Sequence, residues 1–250
     1  MTRAVVYTLR PLLMVTTRRD WRGGETFPKD RGFIVAVNHL SYTDPILFAH
    51  FLVDHGVVPR YLVKDTLMDH RVLGPLLRPT EQIPVHRSTS AAVDSLQKAI
   101  EAVAAGKAIA IYPEGTITRD EDVWPMSART GAVRVAHATG APLYPVAQWG
   151  PQEIMGPYVK EFKLFPRKTI RVRVGAPLDL SWLGESPSED DLRRASDQLM
   201  DAITDLLAEI RGERPTRPRF DVRTLGRHRS SYAKKQGRHT NARAPRKEQD

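Results

Sequence analysis

The sequence predicts an α/β fold: a mixed, largely parallel sheet covered by helices, with an N-terminal membrane-associating helix. Short apolar runs such as Phe33-Ile34-Val35-Ala36-Val37 and Ala108 to Tyr112 have the length and the lack of alternation of strands buried on both faces. They alternate with helical stretches, the order of a sheet built from crossovers. Polar motifs directly follow these runs, at the strand ends where open α/β sheets gather their ligands.

The first element spans residues 1–22. Val5, Leu9, Leu12 and Leu13 share one helical face, Arg3, Arg18, Arg19 and Arg22 lie nearby, and Trp21 closes the segment. That is the composition of a helix lying in a membrane interface; an ordinary surface helix packed on the core and kinked at Pro11 fits as well. The apolar stretch Ala4 to Val15 is broken by Thr8, Arg10 and Pro11 and falls short of the ~18 residues of a span. Arg10 within it and the absence of a small-residue cleavage site argue against a signal peptide.

The strand at Phe33–Val37 leads into Asn38-His39-Leu40-Ser41-Tyr42-Thr43-Asp44-Pro45, where Asp44 reads as a helix cap and Pro45 as the first helical residue. Arg60 to Val63 is a strand, and Gln82 to Val85 a short one that Pro84 places at a sheet edge. Ser90 to Ala105 is a helix ended by Gly106, and Ala108 to Tyr112 a buried strand ending at Pro113-Glu114-Gly115-Thr116. Ala128 to Thr139 is a helix closed by Gly140, and Leu143 to Ala147 a strand. Thr169 to Val174 alternates Ile170, Val172 and Val174 with Arg171 and Arg173, as a strand with one wet face does. Ser188 to Ile210 is the last helix, with Ser188 and Asp191 as a capping box and an apolar stripe through Leu192, Ala195, Leu199, Ile203, Leu206 and Ile210. The expected division is therefore 1–22 as an interfacial helical segment, 23–210 as the main folded domain and 211–250 as a tail.

Charge sharpens that division. From Arg211 to Asp250 there are 13 basic and 4 acidic residues, against 38 and 29 in the whole chain of 250, so residues 1–210 balance and the tail carries the entire +9. With few apolar residues the tail cannot build a core and reads as disordered. Anionic lipid, nucleic-acid phosphates and a merely solubilising role all suit it. The chain has no cysteine, which excludes disulfides, thiolate metal sites and cysteine nucleophiles.

The chemistry gathers in four blocks. His39 and Asp44 sit five apart after a buried strand, close enough for the carboxylate to fix one imidazole nitrogen and leave the other as a base. Arg87 ends the run Gln82-Ile83-Pro84-Val85-His86-Arg87 and offers a planar fork for phosphate. In Tyr112-Pro113-Glu114-Gly115-Thr116, Gly115 allows close backbone approach, Thr116 brings a hydroxyl and an amide, and Glu114 is suited to bonding substrate hydroxyls or holding Arg87. Ala141 to Val146 is apolar and shapes a pocket wall. His50, His55, His70, His86 and His137 show no ligand spacing and read as structural or exposed, so no metal is assigned.

In this order, over roughly residues 20–180, the blocks resemble the glycerolipid acyltransferase family, specifically the 1-acylglycerol-3-phosphate acyltransferases. The His-x4-Asp block is complete. The third block has Tyr112 where the family has Phe, Ile117 replaces the usual basic residue after Glu-Gly-Thr with Arg119 two further on, and Glu81 stands for a glycine before block two. The resemblance implies a peripheral enzyme on the cytoplasmic side of the membrane. It would move a fatty acyl group from acyl-CoA or acyl carrier protein to a hydroxyl of lysophosphatidic acid or a related lysophospholipid. His39 would be the general base, Asp44 its partner, and Arg87, Glu114, Gly115 and Thr116 the acceptor site, with no cofactor beyond the thioester co-substrate. The other reading is a membrane- or nucleic-acid-binding adaptor on an inactive acyltransferase scaffold; the intact His39/Asp44 pair weighs against it, and nucleic acid is not the expected partner.

Overall fold

Phe33 to Val37 are buried along their whole length, and this strand is the centre of the molecule. The computed structural model describes residues 2–64, 68–69, 71, 80–85, 89–159 and 161–221. Its elements are α1 (Thr2–Thr16), β1 (Thr17–Arg22), β2 (Phe33–Val37), α2 (Asp44–Asp54), β3 (Pro59–Lys64), β4 (Ile83–Val85), α3 (Thr89–Ala104), β5 (Ala108–Ile111), α4 (Gly131–Thr139), β6 (Leu143–Trp149), α5 (Pro151–Ile154), β7 (Lys168–Val174) and α6 (Glu189–Arg211).

Among the described residues the strands form one sheet in the order β1-β7-β6-β2-β5-β3-β4. All neighbours are parallel except β6 and β7, which gives the mixed, largely parallel sheet. Side chains alternate across it. Ile34, Ala36, Ile109 and Ile111 point into a core closed by α3, α4 and α6, while Phe33, Val35, Val37 and Ala110 join a second core with Phe48 and Phe51 of α2. The short strand with Pro84 lies at the sheet edge, where its missing N–H costs nothing.

Several expectations are corrected. The segment expected to be helical over 1–22 divides at Thr16, because Thr17–Arg22 pairs with β7 as the opposite edge strand. Its side chains are mostly exposed, so no hydrophobic alternation announces it. Trp21 nonetheless pins it to α2 through edge-on contacts with His50 and Phe51, ring centroids 5.1 and 5.5 Å away. The face of β7 expected to be wet is covered at one position: Arg173 is buried, pairing with Asp20 at 3.0 Å and with Glu209 of α6 at 3.5 Å. The helix expected from Ala128 begins at Gly131, since the Arg129 amide is engaged with the Pro113 carbonyl at 2.9 Å.

The capping box at Ser188 and Asp191 is present in both directions. Residues 211–221, expected to open the tail, lie against the domain instead. Arg211 stacks between Trp124 and Trp149 at 4.0 and 4.6 Å, and the Ser127 amide donates to the Phe220 carbonyl at 2.9 Å. Residues 222–250 fall outside the described residues.

No helix among the described residues is long and apolar enough to cross a membrane.

Candidate active site

His39 stands two residues beyond the end of β2, where the neighbouring strands β5 and β6 also end. Its backbone is held from both sides: the amide donates to Glu114 Oε1 at 2.9 Å, and the carbonyl accepts from the Thr118 amide at 2.8 Å. The ring is held too. Nδ1 lies 2.8 Å from Asp44 Oδ2, and the imidazole stacks on Tyr112 with ring centroids 4.2 Å apart and planes 27° apart. With Nδ1 facing a carboxylate, the N–H belongs on Nδ1 and the lone pair on Nε2, which has no partner among the described residues.

Asp44 is fully buried. The expectation that it caps the helix is corrected, for Thr43 is the N-cap and Asp44 lies in the first turn. Freed from capping, its Oδ2 accepts from the amides of Leu40 at 2.5 Å and Ser41 at 2.9 Å as well as from His39. Burial still raises its pKa above the ordinary carboxylate value, against the pull of His39 and those amides.

Glu114 does not reach outward. Its Oε1 takes the His39 amide and its Oε2 the Met126 amide at 3.0 Å. The carboxyl is buried, and burial raises its pKa to about 8 in spite of those two bonds. It bridges the turn after β5 to the turn after β2. Gly115 follows with φ +69°, a conformation that suits glycine. A Cβ there would lie 3.0 Å from Arg129 Nε, so the Arg129 guanidinium lies directly over this turn. Thr116 Oγ1 is 3.5 Å from the Tyr158 hydroxyl, which donates to the Ile117 carbonyl at 2.6 Å. Arg87 lies outside the described residues.

Sequence reasoning missed three parts of the site. Asn38 and Gln148, both buried, clasp the ends of β2 and β6: Asn38 Oδ1 accepts from the Gln148 amide at 2.8 Å, and each side-chain amide donates to the other's carbonyl, at 3.1 and 3.0 Å. They are 110 positions apart, so only the folded sheet brings them together. Arg129 was hidden inside an expected helix. Met126 contributes a backbone amide, which carries no residue-specific signal.

A buried carboxylate orienting an imidazole at the carboxyl ends of parallel strands is an arrangement suited to a general base, on an α/β architecture. Comparison with known proteins specifies it. Residues 18–149 match the acyltransferase family model, and the chain belongs to that family. It is 26% identical over 179 residues to a protein of Borreliella burgdorferi named 1-acyl-sn-glycerol-3-phosphate acyltransferase, covering 71% of this chain and 68% of that one. It is 27% identical over 140 residues to the chloroplastic 1-acyl-sn-glycerol-3-phosphate acyltransferase BAT2 of Brassica napus, covering 55% of this chain but 39% of that protein. The fold matches the crystal structure of the 1-acyl-sn-glycerophosphate acyltransferase PlsC from Thermotoga maritima, with a TM-score of 0.58, 24% identity, and 77% and 73% of the two chains covered. The enzyme is acyltransferase-like, as the ordered blocks implied.

Proposed function

We propose that this enzyme transfers a fatty acyl group from acyl-CoA or acyl carrier protein to a hydroxyl of lysophosphatidic acid or a related lysophospholipid. The observation that carries this reading is the 2.8 Å contact of His39 Nδ1 with buried Asp44, which leaves Nε2 as the base. An alcohol is a poor nucleophile at neutral pH. His39 Nε2 takes its proton as the oxygen attacks the thioester carbonyl, and Asp44 stabilises the imidazolium that forms. The tetrahedral intermediate then collapses, the C–S bond breaks, and the departing thiolate takes the proton back from His39. Ester and free thiol are the products, and the imidazole returns to its starting state. With Leu40 and Ser41 amides committed to Asp44, the Ile46 amide in the first turn of α2 is the oxyanion donor we favour; Pro45 before it has none.

The acceptor phosphate is assigned to Arg87 together with the Gly115-Thr116 turn, with Arg129 above that turn as a further cation. The relatives' names supply the lysophosphatidate assignment. Substrates of this kind place the enzyme at an anionic membrane surface on the cytoplasmic side, held peripherally by α1 and by the basic residues after 221. Purified protein given lysophosphatidic acid and an acyl thioester tests the reading. Phosphatidic acid with one acyl position newly filled is expected, and no product with either acyl-CoA or acyl carrier protein would overturn it.

A further inference from the structure

The end of the sheet that carries His39 also carries several of the most exposed apolar side chains among the described residues. β1 is parallel to β7 and β7 antiparallel to β6, so the amino ends of β1 and β7 lie at the same edge as the carboxyl ends of β2 and β6. At that edge α1 ends with Leu12 55% and Val15 64% exposed, and the segment entering β7 presents Phe162 59% and Phe165 71% exposed. Arg167 ties the two together, its Nη2 donating to the carbonyls of Met14 at 2.8 Å and Thr17 at 2.6 Å. Ile46, 44% exposed, lies in the first turn of α2 beside the catalytic Asp44.

From this juxtaposition we infer that Phe162 and Phe165 form a membrane-inserting wedge which, with Leu12 and Val15, seats the catalytic edge on an anionic bilayer. The inference rests on the lipid substrate proposed above and names the surface from which that substrate is taken. Two aromatic rings held outward on a loop have no reason to remain in water, and apolar faces of this kind sink into the headgroup boundary. The surrounding charge suits the occupant. Arg18 and Lys168, at the amino ends of β1 and β7, form no ion pair among the described residues. Arg167 spends its hydrogen bonds on carbonyls and forms no ion pair among the described residues. The acid of this loop, Glu161, is matched by Lys163 at 3.6 Å. A seated edge lets an acceptor slide from the bilayer to His39 without its chain crossing water.

The test is sedimentation of the full chain with mixed phosphatidylcholine–phosphatidylglycerol vesicles, at salt high enough to screen the cations, comparing the parent with Phe162→Ser/Phe165→Ser. Trp182→Ser is the control, because Trp182 lies near the opposite end of the sheet, where the Leu178 amide meets the Leu143 carbonyl. The double variant should bind vesicles about ten-fold or more weakly, as befits the loss of two inserted rings, and Trp182→Ser should bind as the parent does. Acyl transfer to a short-chain acceptor dissolved as monomers should be unchanged in the double variant, which separates seating from folding and chemistry. Equal vesicle binding by the parent and the double variant would overturn the wedge. So would conversion of a dimeric parent to a monomer with vesicle binding intact, which would make the patch a contact between two copies. If no variant, nor the parent, acylates the monomeric acceptor while vesicle binding falls as expected, the wedge stands and the proposed reaction fails.

Discussion

His39 is gripped at its amide and carbonyl by the stretch after β5 and at its ring by Asp44. Because only Nε2 is left to act, His39→Ala should cut turnover by about 10²–10⁴-fold with little change in melting temperature, and retention of a tenth of the parent rate would remove the general-base role. Asp44→Asn should be as severe in rate and should also destabilise, because an amide group must accept from three donors at one oxygen or present its own N–H groups to them. Glu114 makes a separate prediction. Its folded pKa of about 8 lies above the ordinary glutamate value, so the folded state holds a proton that the unfolded chain has released. Stability is therefore full below the ordinary glutamate range and falls as pH rises through about 8. In Glu114→Gln that part of the pH dependence should vanish, at a cost of about 1–3 kcal/mol because an NH₂ group then faces a backbone amide. Melting curves of both proteins across this pH window check it, and identical slopes would contradict it. Arg129→Ala should raise the acceptor KM with little change in the donor KM; the reverse pattern would place Arg129 at the thioester.

Elements carry these residues, and most were legible where burial alone sets the pattern. Phe33–Val37 and Ala108–Ile111 are sandwiched between two helical layers, so their apolar runs announce them. The fully buried Leu207 broadens the α6 stripe beyond the residues that a single row suggested. What stayed illegible depends on partners far along the chain. Arg173 looked wet because Asp20 and Glu209, which neutralise it, are supplied by β1 and α6. The bridge made by Glu114 stayed hidden because the two amides it serves, at 39 and 126, have no signature of their own. The segment 211–221 is a similar case, and it braces the site. Ser127, bonded to Phe220, follows Met126, whose amide supports Glu114 and through it His39. A chain ending at Ile210 should lose the Arg211 stack on Trp124 and Trp149 and the Ser127–Phe220 bond, about 2–3 kcal/mol together, with a lower kcat. A chain ending at Asp221 should match the full protein in urea unfolding and in kcat. Equal stability of the two truncations would show that the brace contributes nothing.

At the scale of the whole molecule the formal charge is segregated along the sequence. Residues 222–250 carry 9 basic and 2 acidic residues, while the preceding chain is close to neutral. A basic residue near an anionic surface contributes about 1 kcal/mol, an attraction that dies away over a Debye length of ~8 Å at physiological salt. Apolar insertion, by contrast, is not screened. Two attachments of different physical origin should therefore separate when salt is varied. Compared with the full protein, a chain ending at Asp221 should lose on the order of 100-fold or more of its affinity for anionic vesicles at low salt and far less at high salt, where the apolar edge dominates. Neutral vesicles should hold the two chains alike. Because the brace formed by residues 211–221 is kept, the shortened enzyme should acylate a monomeric acceptor at the full rate. Equal salt sensitivity of both chains on anionic vesicles would remove residues 222–250 from membrane attachment. Tighter binding of the full protein to RNA than to anionic lipid would assign those residues to nucleic acid.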